Sequence, residues 1–339
     1  MSSLEQTFQS NSKSVEAFAN AESLQAGYVC LLSGQSIIKL SGDDASSFLH
    51  NQLSNDVDRL KEGEARYAAY CTPKGRMLAS FYYWKQQQDL FLQCSASLQP
   101  ALQKRLQMFV MRAKAKLEDV SETYSLIGLS GTAAETFLLN HFPQLPVETN
   151  QTMTAEVGVL IRRADAFNSA RYQWFVPRLV LEGLLDSLMT GNLIVDPQIW
   201  RLGDIWAGIP EVREQTKEQF VPQMVNFELI GGVNFRKGCY PGQEIVARSQ
   251  YLGKLKRRMA IATVATDEIA IATEVFSEND TSQPCGMIVN AERDFTGNFV
   301  CLVEIKLADQ EEGKVHLGAI DGPLLNFQAL PYAYLDVTE

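Results

Sequence analysis

The chain has 339 residues, a net charge of −10 and a pI near 5.0. That length exceeds what one hydrophobic core usually serves and predicts two or three domains. The acidic balance favours solubility and excludes a surface that coats nucleic acid generally, so any RNA contact needs a local basic patch.

The stretch from Met1 to Glu22 is polar and poor in arginine, without a basic segment leading into an apolar core. It reads neither as a secretory signal nor as a transit peptide. No apolar run is long enough to span a bilayer, and no membrane partner is expected. Six cysteines are scattered without close pairs. That is neither a disulfide framework nor a zinc pattern, and it points to a reducing cytoplasm.

In chain order, residues 1–26 read as a helix or a loose arm. Val29–Leu32 and Ser36–Leu40 read as strands around a Ser33-Gly34 turn. Asp43 or Asp44 then caps a helix with Phe48, Leu49 and Leu53 on its apolar face. The run Leu40-Ser41-Gly42-x-x-Ala45-x-x-Phe48-Leu49 recurs as Leu129-Ser130-Gly131-x-x-Ala134-x-x-Phe137-Leu138. The repeat stands either for two related α+β subdomains or for a chance likeness of two strand–turn–helix units.

Between the copies, 66–71 and 77–84 read as strands joined by the Thr72-Pro73-Lys74-Gly75 turn, 90–94 as a third strand and 98–111 as a helix. After the second copy come strands over 155–163 and 172–176 and an amphipathic helix over 179–189. A further helix begins at Pro197 and ends near Gly208-Ile209-Pro210. Residues 222–226 form a polar loop. Gly231 to Arg236 reads as a glycine turn and a short strand. From about residue 257 short alternating segments separated by turn signals predict a small β-barrel.

Lys237-Gly238-Cys239-Tyr240-Pro241-Gly242-Gln243-Glu244 sits between that predicted strand and a helix opening at Ile245-Val246-Ala247-Arg248. Gly238 and Gly242 permit backbone angles that other residues resist, and Pro241 suits a turn or first helical position. Arg236, Lys237 and Arg248 flank the thiol of Cys239, and nearby cations or a helix N-terminus favour a thiolate. The competing reading of any single cysteine is inert packing, which is the one adopted for the other five.

No Walker loop, dinucleotide fingerprint or metal-ligand spacing is present. His50, His141 and His316 lie far apart, and His50 and His141 read as surface or packing residues on helices. Trp200, Arg201, Tyr67, Tyr70 and Tyr240 are of the types that hold a flat anionic ligand by stacking and carboxylate pairing. Lys254, Lys256, Arg257 and Arg258 form the single candidate basic patch, with a solvated strand edge or linker as the alternative.

Lys-Gly-Cys-Tyr-x-Gly-Gln-Glu resembles the signature of the YgfZ family, folate-binding proteins related to the T-protein (aminomethyltransferase) of the glycine cleavage system. Trp200-Arg201 with Gly208-Ile209-Pro210, and Pro222-Gln223-x-x-Asn226, also match the family's pattern. The resemblance implies an α+β fold: an N-terminal arm (1–26), a T-protein-like folate-binding region (27–255) and a C-terminal β-barrel (256–339). The middle region would hold subdomains over roughly 27–120 and 121–195, with 196–255 completing the pocket at the junction with the barrel.

It further implies tetrahydrofolate or a derivative as cofactor, held by Trp200, Arg201, Tyr240, Gln243, Glu244 and Gln35. Cys239 would be the functional thiol, assisted by Lys237 and Arg248. Iron–sulfur enzymes or their assembly proteins would be the partners, with tRNA served indirectly. Two departures bear on this. Gln35 stands where the family carries a second tryptophan. Leu78 and Ala79 stand where the T-protein has paired aspartates that assist aminomethyl transfer, which argues against that activity. A folate-dependent one-carbon transferase on another substrate, and an RNA- or protein-binding adaptor, stand as the alternatives.

Overall fold

The computed structural model describes residues 3–251 and 255–334. The chain opens with helix α1 (Ser3–Asn11), whose Leu4 and Phe8 are buried, so the N-terminal segment is a packed helix rather than a loose arm. Strands β1 (Tyr28–Leu31) and β2 (Gln35–Ser41) lead into α2 (Ala45–His50). The hairpin β3 (Ala65–Cys71) and β4 (Met77–Gln86) is followed by β5 (Asp89–Ser95), α3 (Gln99–Val110) and β6 (Lys116–Asp119). The second copy of the repeat supplies β7 (Tyr124–Ser130) and α4 (Thr132–Leu139).

Then come β8 (Thr152–Ala155), β9 (Gly158–Ala166), β10 (Ser169–Pro177), α5 (Arg178–Met189), β11 (Leu193–Ile194) and α6 (Pro197–Trp206). After a long irregular passage, α7 (Gln243–Tyr251) precedes β12 (Arg257–Val264), β13 (Glu274–Ser277), β14 (Gly286–Arg293) and β15 (Phe299–Lys306). Helix α8 (Leu307–Glu312), β16 (Val315–Leu317) and β17 (Leu325–Gln328) close the chain.

Among the described residues three sheets form, ordered β11-β1-β7-β10-β9-β8, β3-β4-β5-β2-β6 and β16-β13-β14-β15-β12-β17. The last is antiparallel throughout. Its two edge strands meet where His316 bridges Leu324, so it curls on itself as the alternating segments predicted. The predicted α+β class with a curled C-terminal sheet is what the chain adopts.

By contacts the chain divides into two compact units. One holds 1–48, 58–66 and 82–203; the other holds 49–57, 67–81 and 204–339. In the first unit, Trp84, Phe91, Tyr124 and Phe175 interlock, with Phe175 4.4 Å from Tyr124 and 4.8 Å from Phe91 between ring centroids. This joins β4 and β5 to β7 and β10 through aromatic edges and faces. In the second unit, alternate residues of β12 and β15 (Ala260, Ala262 and Val264; Cys301, Val303 and Ile305) fill one core.

The repeated run has one cause in both copies. Gly42 and Gly131 take φ of +111° and +88°, each turning a strand into a helix. A Cβ on Gly42 would stand 2.2 Å from the Lys114 carbonyl oxygen, and one on Gly131 2.7 Å from that of Gln25. No side chain fits there, and the left-handed angle adds its own cost. Gly42→Ala is therefore expected to lower stability by at least about 1–3 kcal/mol. Gly34→Ala, where a Cβ meets open space, is expected to change it little; chemical denaturation of both variants checks this.

Candidate functional site

The predicted short strand over 233–236 does not form. Gly231, Gly232 and Asn234 instead give their backbone groups to residues 54 and 55. Ser54 Oγ donates to the Gly232 carbonyl at 2.6 Å, Asn55 Nδ2 to that of Gly231 at 2.7 Å, and the Asn234 amide to the Ser54 carbonyl at 2.9 Å. Ser54 and Asn55 are buried polar residues satisfied by these bonds. The chain thus enters 236–242 as a loop already tied at its base.

Lys237 makes the next tie. Its side chain is buried, and its ammonium donates to the carbonyls of His50 and of Leu53, the latter at 2.7 Å. The Tyr240 ring lies 4.9 Å from Nζ, a cation–π distance. Tyr240 is itself buried, and burial raises its hydroxyl above the ordinary tyrosine range. Gly242 at φ +82° presses onto the turn between β3 and β4, where a Cβ would meet the Thr72 carbonyl oxygen at 2.4 Å. Helix α7 starts at the next residue.

Between these anchors Gly238 and Cys239 are exposed. The other five cysteines are buried. Burial pushes the thiols of Cys30, Cys71 and Cys301 up to about 12 and that of Cys285 up to about 11. Cys239 alone is therefore placed to react from solvent.

The residues predicted to flank the thiol are used differently. Lys237 points inward to carbonyls. Arg248 pairs with Glu244 at 3.1 Å one helical turn back, with side chains 62% and 83% exposed. Gln243 is half-buried at the first position of α7, its amide bonding the Tyr240 carbonyl at 3.2 Å.

One pair escaped the sequence. His50 ends α2, and its Nδ1 lies 3.2 Å from Asp56 Oδ1, both side chains being largely buried. Its Nε2 would stand 3.5 Å from a Cβ on Gly238, so the imidazole borders the cysteine loop. A His and an Asp six positions apart around a turn carry no recognisable motif, and nothing short of the fold shows the imidazole beside residue 238.

Trp200, Arg201 and Gln35 lie in the first unit, whereas Cys239, Lys237, Tyr240, Gln243, Glu244 and Arg248 lie in the second. The Trp200 ring is 3% exposed, with the Arg171 guanidinium over it at 4.0 Å. A Cβ on Gly128 would stand 2.5 Å from the same indole. One face of that ring is thus taken by protein. Arg201 is half-buried. Gln35 opens a polar chain: Gln93 Nε2 donates to it at 3.1 Å, Gln173 Nε2 to Gln93 at 2.7 Å, and Arg163 to Gln173 at 3.0 Å.

The signature-like Gln223 and Asn226 are both fully buried. Gln223 Nε2 holds the Val246 carbonyl of α7 at 2.8 Å, and Asn226 Nδ2 holds the Met259 carbonyl of β12 at 2.7 Å. They are scaffold.

Two of the four residues of the basic patch predicted at 254–258 are paired with acids, and Lys256 is exposed. Arg257 makes two 2.9 Å bonds to Glu304, and buried Arg258 pairs with Glu228. Lys254 lies outside the described residues. Among the described residues, no cluster of His, Cys, Asp and Glu could hold a metal, and no helix is long and apolar enough to cross a membrane. A cavity of about 420 Å³ under α1, lined by Glu5, Phe8, Leu31 and Asp196 among others, includes none of the predicted site residues.

Lys237→Met is expected to cost about 1–3 kcal/mol for each carbonyl left without its donor, and to open the loop to proteolysis. Arg248→Ala is expected to cost under about 1 kcal/mol, because exposed pairs contribute little. Denaturation and limited proteolysis measure both.

Residues 17–160 match the GCVT N-terminal domain. The chain is 32% identical over 233 residues to the tRNA-modifying protein YgfZ of Colwellia psychrerythraea, covering 68% of this chain and 70% of that protein. It is 29% identical over 284 residues to the tRNA-modifying protein YgfZ of Hamiltonella defensa, covering 83% and 80%. The crystal structure of glycine cleavage system aminomethyltransferase T from Bartonella henselae superposes with a TM-score of 0.75 at 16% identity, covering 97% of this chain and 96% of that one. A tied cysteine loop on an aminomethyltransferase-like fold, together with these identities, shows that the chain belongs to the YgfZ family.

Proposed function

We propose that this protein is a cytoplasmic accessory factor in tRNA modification. It binds tetrahydrofolate or a derivative and supports iron–sulfur enzymes, and Cys239 is its functional thiol. The carrying observation is that Cys239 is the single exposed cysteine of six, on a loop held rigidly from both sides. A thiol kept in solvent by that many anchors costs the fold something and returns no packing, which favours a chemical role. The relatives named tRNA-modifying proteins support the process assigned.

For folate, the residues differ in how well they suit the ligand. Gln35 is half-buried at the end of an amide chain. Its amide matches the donor and acceptor edge of a pterin. Arg201 suits a ligand carboxylate. Trp200 suits a supporting role better than a stacking plate, since Arg171 covers one face. Bound folate would supply a one-carbon carrier; Gln35 and Arg201 would orient it.

Tetrahydrofolate is expected to raise the thermal unfolding midpoint by mass action, with Gln35→Ala reducing that rise. An unchanged midpoint at saturating ligand removes folate from the reading. In a strain lacking the gene, Cys239→Ser is expected to leave iron–sulfur enzymes that modify tRNA impaired; full restoration of their activity removes the thiol.

A further inference from the structure

The Cys239 loop is bordered by a second chemical group that the proposed function does not use. His50 comes from α2 and Asp56 from the turn that follows it. Nδ1 of the imidazole lies 3.2 Å from Asp56 Oδ1, and the two side chains are 13% and 6% exposed. A carboxylate at that distance favours the tautomer with hydrogen on Nδ1, which makes Nε2 the basic nitrogen. Nε2 is the atom that borders Gly238, 3.5 Å from where its Cβ would be. Cys239 is the next residue, its Cα about 3.8 Å further on. The Lys237 ammonium, bonded to the His50 carbonyl, holds loop and imidazole together from below.

Resting on the thiol reading above, we propose that His50, oriented by Asp56, is the proton acceptor for the Cys239 thiol. The step balances without a further reagent. The S–H bond breaks with its electron pair remaining on sulfur, and the proton adds to Nε2. The imidazolium keeps its Nδ1 hydrogen bond to the Asp56 carboxylate. The product is a thiolate–imidazolium pair, the usual way a cysteine becomes a nucleophile near neutral pH. It suits a soft electrophile such as a disulfide or persulfide sulfur.

The other charged groups around the loop leave this role to His50. Lys237 is turned to carbonyls, Arg248 is paired with Glu244, Tyr240 is buried with its hydroxyl raised, and Arg236 is exposed on the solvent side. His50 and Asp56 are positioning residues here, because they act through the sulfur.

The test is the rate of iodoacetamide alkylation of the folded protein as a function of pH. The five buried thiols stay silent, so the reading reports Cys239. His50→Gln is expected to move the curve to higher pH and slow alkylation at neutral pH about tenfold, the effect of one pKa unit; Asp56→Asn is expected to shift it the same way. Superimposable curves for wild type and both variants overturn the proposal.

Should either variant unfold, the wild-type core answers through surface-exposed Cys239→Ser. The His50 ring resonances are expected to move at neutral pH when the sulfur is removed, because the ring then loses its proton donor. Unmoved resonances overturn the proposal equally. Cys239→Ser restoring iron–sulfur enzymes would instead strike the cellular role of the thiol and leave the alkylation curves as they are.

Discussion

A buried ammonium holds the second unit's cysteine loop in place. Lys237 gives up water to sit against the carbonyls of His50 and Leu53, residues 184 positions from it in the case of Leu53. Desolvating a lysine is costly, and only charge-assisted bonds of good geometry offset it. The bonds therefore exist only in the arrangement that places the end of α2 beside residues 237–240. Ser54 and Asn55 reinforce that register from the same segment, through the carbonyls of Gly232 and Gly231. Glycine at 238 leaves the approach open on the imidazole side. Cys239 is consequently presented by a loop with little freedom to hide it.

The fold supplies these anchors through glycine at few but decisive places. Gly42 and Gly131 make the same strand-to-helix turn in two copies, and the helix after the first copy delivers His50. Gly242 does comparable work at the loop's exit, where it lies on the β3–β4 turn and sets the start of α7. Buried Gln223 and Asn226 then fix α7 and β12 through backbone carbonyls. What reads in the sequence as a signature is divided by the structure into one exposed thiol and a surround of tethers.

Much of this was legible beforehand. The alternating segments after residue 257, the hairpin at Thr72–Gly75 and the helix over 99–110 follow from periodicity and turn chemistry, which are local. The strand expected within 231–236 does not form: Val233 and Phe235 alternate like a strand, but the Asn234 amide between them bonds the Ser54 carbonyl, far off in the sequence. Along the chain, Lys237 and Arg248 are neighbours of the thiol. Side-chain direction decides whether they face it, and their directions depend on acceptors at 50, 53 and 244. Trp200 was read as a ring for a ligand, but its ring also answers Gly128 and Arg171. Tertiary partners of this kind have no spacing rule.

On the aminomethyltransferase-like fold, burial constrains two positions of β4. Leu78 and Ala79, which the family resemblance sets against the paired acids of the T-protein, lie within β4 and are 3% and 0% exposed. Two carboxylates at those positions would have to be desolvated, and each would need its own donors. Hydrocarbon there lets β4 pack without such donors, and the second unit retains its sheet geometry at lower cost. With Leu78 and Ala79 there, β4 offers no acid–base group at these two positions. What the unit keeps is a thiol, an imidazole and a carboxylate around the loop at 237–242, a set suited to sulfur chemistry rather than to proton transfer by paired acids. A shared backbone leaves chemistry to the side chains set on it, and here burial suits positions 78 and 79 to apolar ones.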